Sequence, residues 1–260
     1  MLIIDIMKPD RRRFEILALI EKNGVVHIQE LATLFETTEM TIRRDLNRLS
    51  DLGFIKRFHG GAEARSSENM LFNITLNGRH VEYKEEKQKI GALAAQFIKE
   101  SELIFIHGGT TTYELAVNLP RNFYYQVVTN SVPILNLLKD YENIDVLGTG
   151  GILQTISGTF AGSHAEAFVE QINIDTLFMG SSGVSIKKGT TEFDFNIASL
   201  KKKIVGRSEK KILMVDSHKF NIVRSIAFAK LDDFDLVITD DKIEPGIKNE
   251  IEAMGCRVFC

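Results

Sequence analysis

The sequence predicts an α/β chain in two parts: three short helices closed by a β-wing, then a mostly parallel, Rossmann-like sheet with helices on both faces. Three observations carry this expectation. Apolar residues recur at helical spacing in three short runs before residue 53; FIKRFHGGA alternates and then turns on glycine; and from residue 82 onward short β-rich runs alternate with helix-length segments. The parts read as residues 8–62 and 76–260, with a linker at 63–75 where EARSSENMLFNIT loses periodicity.

In the first part, RRRFEILALIEKNG places Phe14, Leu17 and Ile20 on one stripe with Ile16 beside it, and Gly24 is a C-terminal stop. A second helix is expected from Ile28 to Phe35, with Leu31, Ala32, Leu34 and Phe35 inward. Three residues, Glu36 to Thr38, separate it from a third, in which Ile42, Leu46 and Leu49 face the core and Gly53 ends the run. Thr38 suits the N-cap because its hydroxyl can accept from a first-turn amide. The wing is expected to turn at Gly60-Gly61.

In the second part, strands are expected at Leu103–Ile106, Tyr125–Val128, Ile144–Leu147, Thr176–Met179, Ile212–Val215, Leu236–Thr239 and Arg257–Phe259. Helices are expected at 84–98, 111–119, 164–171, 195–207 and 246–253. Strands separated by helix-length crossovers imply parallel pairing covered on both faces.

Composition bounds the function classes. A formal charge of −3 over 260 residues argues against a uniformly basic coat but leaves room for a local basic face. Residues 8–65 hold 11 Lys/Arg against 9 Asp/Glu, so the first part is slightly basic within an acidic chain. Cys256 and Cys260 have no second Cys or His pair at metal-ligand spacing and read as reduced thiols of a cytoplasmic protein. No apolar run approaches a membrane span, MLIIDIM lacks the features of a signal peptide, and Met7 is an alternative start.

Two short helices joined by a tight turn, the second carrying cations on its outer face, form a helix-turn-helix, and the following hairpin makes it winged. The non-core positions of TEMTIRRDLNRL are Thr41, Arg43, Arg44, Asn47 and Arg48. Arginine forks onto guanine or phosphate oxygens, while Thr and Asn reach base edges or phosphates. A solvated face laced by Asp45–Arg48 pairs is the bland alternative. With Thr38 at the turn and Arg57 and His59 on the wing, these residues are the candidate contacts to double-stranded operator DNA.

The run ELATLFETTEMTIRRDLNRLSDLGFIKRFHGGA strongly resembles the DNA-binding signature of the DeoR family of sugar-metabolism repressors. The resemblance covers residues 11–62 and implies a winged helix whose third helix reads the operator. His27 stands where a Ser usually precedes the second helix.

The second part offers strand-end loops, where α/β sheets bind ligands. After Leu103–Ile106 comes His107-Gly108-Gly109-Thr110-Thr111-Thr112, which opens a helix and so presents free amides to a phosphate. Thr129-Asn130-Ser131, Gly150-Gly151, Gly180 to Gly183, and Asp216 to Lys219 fall at other strand ends. These segments also resemble the DeoR effector domain, across residues 82–260. That resemblance implies a fold like the pentose-phosphate isomerases and a phosphorylated sugar or polyol as effector. It assigns the effector site to Gly109, Thr110 and Thr111, to Thr129 and Asn130, to Gly150 and Gly151, to Gly183, and to Lys201 and Lys219 with Asp216. His107 joins the set, although the family commonly has Asp there and Glu at the position of Ile197.

The expected function is a DNA-binding regulator, a repressor relieved by the phosphorylated effector, acting as a homodimer or homotetramer without metal, cofactor or membrane. The competing expectation is an isomerase-like enzyme with a DNA-binding appendage, for which Asp194, Asp216 and Glu192 are candidate bases.

Overall fold

The computed structural model describes residues 9–51, 55–64, 83–155 and 157–260, and the chain divides into two compact units, Met1–Gly78 and Arg79–Cys260. In the first, α1 (Pro9–Asn23) ends where Gly24 takes φ +76° and its amide donates to Ile20 O. Strand β1 (Val25–His27) leads into α2 (Ile28–Leu34), which starts without a side-chain cap because His27 supplies none. Glu36 adopts φ +47° in the turn before α3 (Glu39–Asp51), where Thr38 Oγ1 accepts from Thr41 N at 3.2 Å. Strands β2 (Ile55–Phe58) and β3 (Gly61–Ala64) complete a three-stranded antiparallel sheet in the order β1-β3-β2. Ile16, Ile20, Ile28, Leu31, Ile42, Leu46, Leu49 and Ile55 form its core.

Three expectations need correction here. Leu34 is 61% exposed rather than inward, since at about 100° per residue it lies well off the line of Ile28, Leu31 and Phe35. The wing turns at His59-Gly60, one residue earlier than expected. Gly60 provides φ +94°, whereas Gly61 is already paired with Phe58 and His27, and a Cβ there would lie 2.2 Å from Val26 O. Glu63 and Ala64, assigned to the linker, belong to β3. Gly53 and the rest of the expected linker lie outside the described residues.

The second unit is built on seven parallel strands: β4 (Leu103–Ile106), β5 (Tyr125–Thr129), β6 (Ile144–Gly148), β9 (Ile174–Met179), β12 (Ser208–Met214), β14 (Leu236–Ile238) and β15 (Arg257–Phe259). Their order is β15-β14-β12-β9-β4-β5-β6. All seven expected strands are present, with β9 and β12 starting earlier than the apolar runs suggest, because Asp175 and Ser208 to Lys211 interrupt the hydrophobic signal. On one face pack α4 (Lys84–Ala95), α5 (Thr110–Val117) and α6 (Val132–Leu138), through Ile90, Ala94, Leu115 and Ile134. On the other pack α7 (Ser163–Glu170), α8 (Phe195–Gly206) and α9 (Pro245–Ala253), through Ala165, Val169, Leu200, Ile204 and Ile251.

Sequence periodicity missed α6, a seven-residue helix opened by Ser131 as N-cap with Pro133 in its first turn. It also missed the β7–β8 hairpin (Ile152–Gln154, Thr159–Ala161) and a small antiparallel sheet of β10 (Gly183–Ser185), β11 (Gly189–Glu192) and β13 (Ile226–Ala229). Strands of three or four residues are too short for alternation to register. No helix among the described residues is long and apolar enough to cross a membrane.

The order matters for function. From β4 the chain steps outward through β5 and β6, then returns to the other side of β4 as β9 and steps outward through β12, β14 and β15. The direction therefore reverses between β4 and β9, and it is outside the strand ends at such a reversal that α/β sheets place their ligand crevice.

Candidate nucleic-acid interface and effector site

Helix α3 turns its central acid inward and its arginines outward. Asp45, its central acid, is buried beside Leu46; Arg12 Nε donates to it at 2.6 Å and Arg13 Nε lies 3.2 Å away. Arg43, Arg44, Asn47 and Arg48 are exposed, as is Thr38 at the turn, and Thr41 is half-buried. The surface Asp45–Arg48 pairing is thus replaced by an inward acid neutralised from α1. On the exposed face of α3 the acid Glu39 lies 3.4 Å from Arg43, a solvent-exposed pair of small energetic weight.

Arg57 is placed differently from these cations. Its Nη1 donates to Asn47 Oδ1 at 2.5 Å and to Arg43 O at 3.4 Å, and its Nε donates to Gly61 O at 3.2 Å. Partial burial, then the neighbouring Arg43 charge, lowers its pKa. The guanidinium ties the wing to α3 rather than projecting freely. His59 is exposed at the wing tip.

In the second unit, the loops after β4 and β5 are laced to each other and to strand β8. Gly108 N donates to Asn130 Oδ1 at 2.9 Å, Asn130 Nδ2 donates to Phe160 O at 3.0 Å, and Thr129 Oγ1 donates to Ile106 O at 2.6 Å. Asn130 and Thr129 therefore hold the loops in register with their side chains. A Cβ on Gly108 would lie 2.2 Å from Thr159 Cγ2, so only glycine fits. Gly109 is extended and precedes α5, whose first residues Thr110 and Thr111 are buried; the first-turn amides of a helix have no intrahelical acceptor. Thr112 Oγ1 donates back to His107 O at 2.6 Å, fixing that first turn. Gly151, at φ +110°, could not carry a Cβ, which would meet Ala161 O at 2.8 Å, while Gly150 has open space around it at φ +62°.

His107 is fully enclosed, its Nδ1 2.9 Å from Gly108 O and its Nε2 3.4 Å from Asn130 Nδ2. Burial foremost, then the Lys201 charge, pushes its pKa well below the usual value. A neutral ring donating from Nδ1 to Gly108 O and accepting at Nε2 fits both contacts.

Across the crevice, Lys201 is buried on α8 and donates to Glu192 and, at 2.8 Å, to Gly180 O. Glu192 also accepts from Ser182 Oγ at 2.5 Å and Ser182 N at 3.2 Å. Gly183 opens β10 with its amide 3.4 Å from Ser181 Oγ, and a Cβ there would meet Ile222 O at 2.5 Å. Ile197, where the family has an acid, packs against the core while its amide donates to the N-cap Asp194.

After β12, Asp216 is wholly buried with neither carboxylate oxygen hydrogen-bonded, and His218 Nδ1 lies 3.7 Å from its Oδ1. Lys219 is half-buried on the same turn, with no carboxylate within 4.0 Å of its ammonium among the described residues. His218 stacks on Tyr83, the residue preceding α4, at 3.6 Å between ring centroids. Sequence reading did not single out Arg224, whose Nε donates to Ser182 O at 3.2 Å, nor the Tyr83 stack; both depend on long-range contacts that no local motif signals.

The profile of the DeoR-like helix-turn-helix domain matches residues 12–68, and that of the DeoR C terminal sensor domain matches residues 82–241. The chain belongs to the DeoR family. The HTH-type transcriptional regulator GolR of Listeria innocua is 31% identical over 97% of this chain and 98% of its own length. The lactose phosphotransferase system repressor of Lactococcus lactis is 33% identical over 92% and 94%, and the glycerol-3-phosphate regulon repressor of Escherichia coli 31% over 90% and 92%. Among solved structures, ribose 5-phosphate isomerase A of Methanocaldococcus jannaschii aligns with 53% of this chain and 54% of its own at 15% identity and a TM-score of 0.40. This DeoR-family member is a transcriptional regulator with a DNA-binding helix-turn-helix, and the isomerase-like alternative is set aside, since relatives sharing nearly its whole length are named as regulators.

Proposed function

We propose that the protein represses an operon of sugar or polyol catabolism and leaves its operator when a phosphorylated sugar or polyol binds the second unit. The observation that carries the DNA side is the charge separation on α3, which turns Asp45 inward and leaves Arg43, Arg44 and Arg48 outward. In this reading Thr38, Thr41, Asn47 and His59 join them at the DNA, and Arg57 fixes the wing against α3. Residues 8–64, which include the whole of β3, form the DNA-binding part and 76–260 the effector part. Two relatives are named as repressors, one of a lactose phosphotransferase system and one of a glycerol-3-phosphate regulon.

On the effector side, the phosphate lies at the first turn of α5, against the amides of Thr110 and Thr111, with Gly109 allowing close approach and Lys219 supplying charge. The Asp216 carboxylate, neither of whose oxygens is hydrogen-bonded, accepts from a sugar hydroxyl, which relieves the cost of its burial. Asn130, Thr129, Gly150, Gly151, Gly183, His107 and Lys201 shape the crevice. The functional unit is a homodimer or homotetramer that sets the spacing of two operator half-sites. A thermal-shift screen against sugar phosphates, polyol phosphates and their unphosphorylated parents tests the reading. A ligand at about 100 times its Kd adds roughly 2.7 kcal/mol to native stability; stabilisation by unphosphorylated parents alone overturns the phosphate assignment.

A further inference from the structure

Resting on that reading, we propose that Arg224 is a second cation of the effector site, gripping the phosphate group of the ligand from the β9 side of the crevice. Lys201 is the cation most obviously placed there. Its charge is cancelled by Glu192 in a buried pair, and it also donates to Gly180 O. Glu192 is in turn occupied by Ser182 N and Oγ, so this carboxylate is fully engaged without Arg224.

Arg224 is half-buried on the segment leading into β13. Its backbone amide donates to Thr191 Oγ1 at 2.9 Å, its Nε donates to Ser182 O at 3.2 Å, and its guanidinium lies 4.4 Å from the Phe193 ring centroid. The guanidinium is therefore held by two contacts, the Ser182 carbonyl in the loop after β9 and the Phe193 ring, while the backbone bond anchors the segment that carries it. No carboxylate lies within 4.0 Å of the guanidinium among the described residues. Burial lowers the Arg224 pKa, and the Glu192 charge offsets this only in part. A pre-oriented guanidinium fork with terminal nitrogens unspent matches a tetrahedral oxyanion bidentately, which a lysine does not. The α5 first turn and Arg224 then approach the ligand from β4 and β9, the two strands that bound the switch point.

The test is isothermal titration of the full chain with inorganic phosphate and with the phosphorylated sugars and polyols of the thermal-shift panel, using wild type, Arg224→Gln, Arg224→Lys and the exposed-surface control Lys202→Gln. The expected result is at least a tenfold weaker Kd in Arg224→Gln and an intermediate loss in Arg224→Lys, with Lys202→Gln unchanged. Operator affinity without ligand stays at the wild-type value in all variants, which separates a lost anion contact from a disrupted fold. If Arg224→Gln misfolds, Arg224→Lys, which keeps the charge and loses the fork, decides the matter. Wild-type affinity in either folded variant overturns the role of Arg224 while leaving the effector reading intact. Failure of wild type itself to bind any phosphorylated compound overturns both.

Discussion

Arg57, on the first strand of the wing, donates a 2.5 Å hydrogen bond to Asn47 on α3, so the wing and this helix are braced against each other by side chains of opposite elements. Arg57→Ala is expected to weaken operator binding through loss of that brace. Because the guanidinium is already engaged, the slope of log K against log salt should stay near the wild-type value; a slope reduced by about one unit would instead show a direct phosphate contact. Fluorescence anisotropy at several salt concentrations distinguishes the two.

Arg44 projects from α3 without an acid partner within 4.0 Å among the described residues. Arg44→Ala should cost about 1–3 kcal/mol of operator affinity if it contacts a base, with thermal stability unchanged because the side chain lies off the Ile42, Leu46 and Leu49 stripe. Unchanged operator affinity would remove it from the interface.

Lys201 and Lys219 should behave as opposites. Lys201→Met leaves the Glu192 carboxylate buried without its cation and should cost about 3–5 kcal/mol in urea unfolding. Lys219→Ala removes no ion pair and should leave stability within about 0.5 kcal/mol. Equal destabilisation by both would show that Lys219 is structural.

His107 sets a pH dependence. Its pKa is well below 6.5 in the folded chain, so the unfolded chain takes up a proton near pH 6.5 that the native state refuses. Its contribution to stability is complete above that pH and is lost as pH falls toward the folded value. Between pH 7.5 and 5.5 wild type should therefore lose more stability than His107→Gln, as pH-dependent urea unfolding of the two would show. Parallel pH profiles would mean that the ring takes up its proton as readily in the folded chain as in the unfolded one.

Most of the architecture was legible because its signals are local. The Ile42, Leu46 and Leu49 stripe, the Thr38 cap and the apolar strand runs each need only a few neighbouring residues. What was hidden depends on distant partners: Asp45 reads as a surface acid until Arg12 of α1 is brought against it, and Lys201 reads as a free cation until Glu192 on β11 neutralises it. Arg224 sits in a segment with no motif, and only its bond to Ser182 O places it at the crevice. Leu34 shows the converse failure, an apolar residue assigned inward by type when helix geometry turns it outward.

The central claim is that the second unit releases DNA by sensing a phosphorylated ligand, and the direct test is anisotropy of the protein on its own upstream DNA during titration with the phosphorylated sugar or polyol that most stabilises it. Wild type should lose operator affinity by roughly 5- to 150-fold at saturation, corresponding to about 1–3 kcal/mol of coupling. Lys219→Ala and Thr110→Ala should bind the DNA as wild type does yet fail to respond, and the unphosphorylated parent should have no effect. Wild-type release by the unphosphorylated parent, or an unaltered response in both variants, would contradict the account.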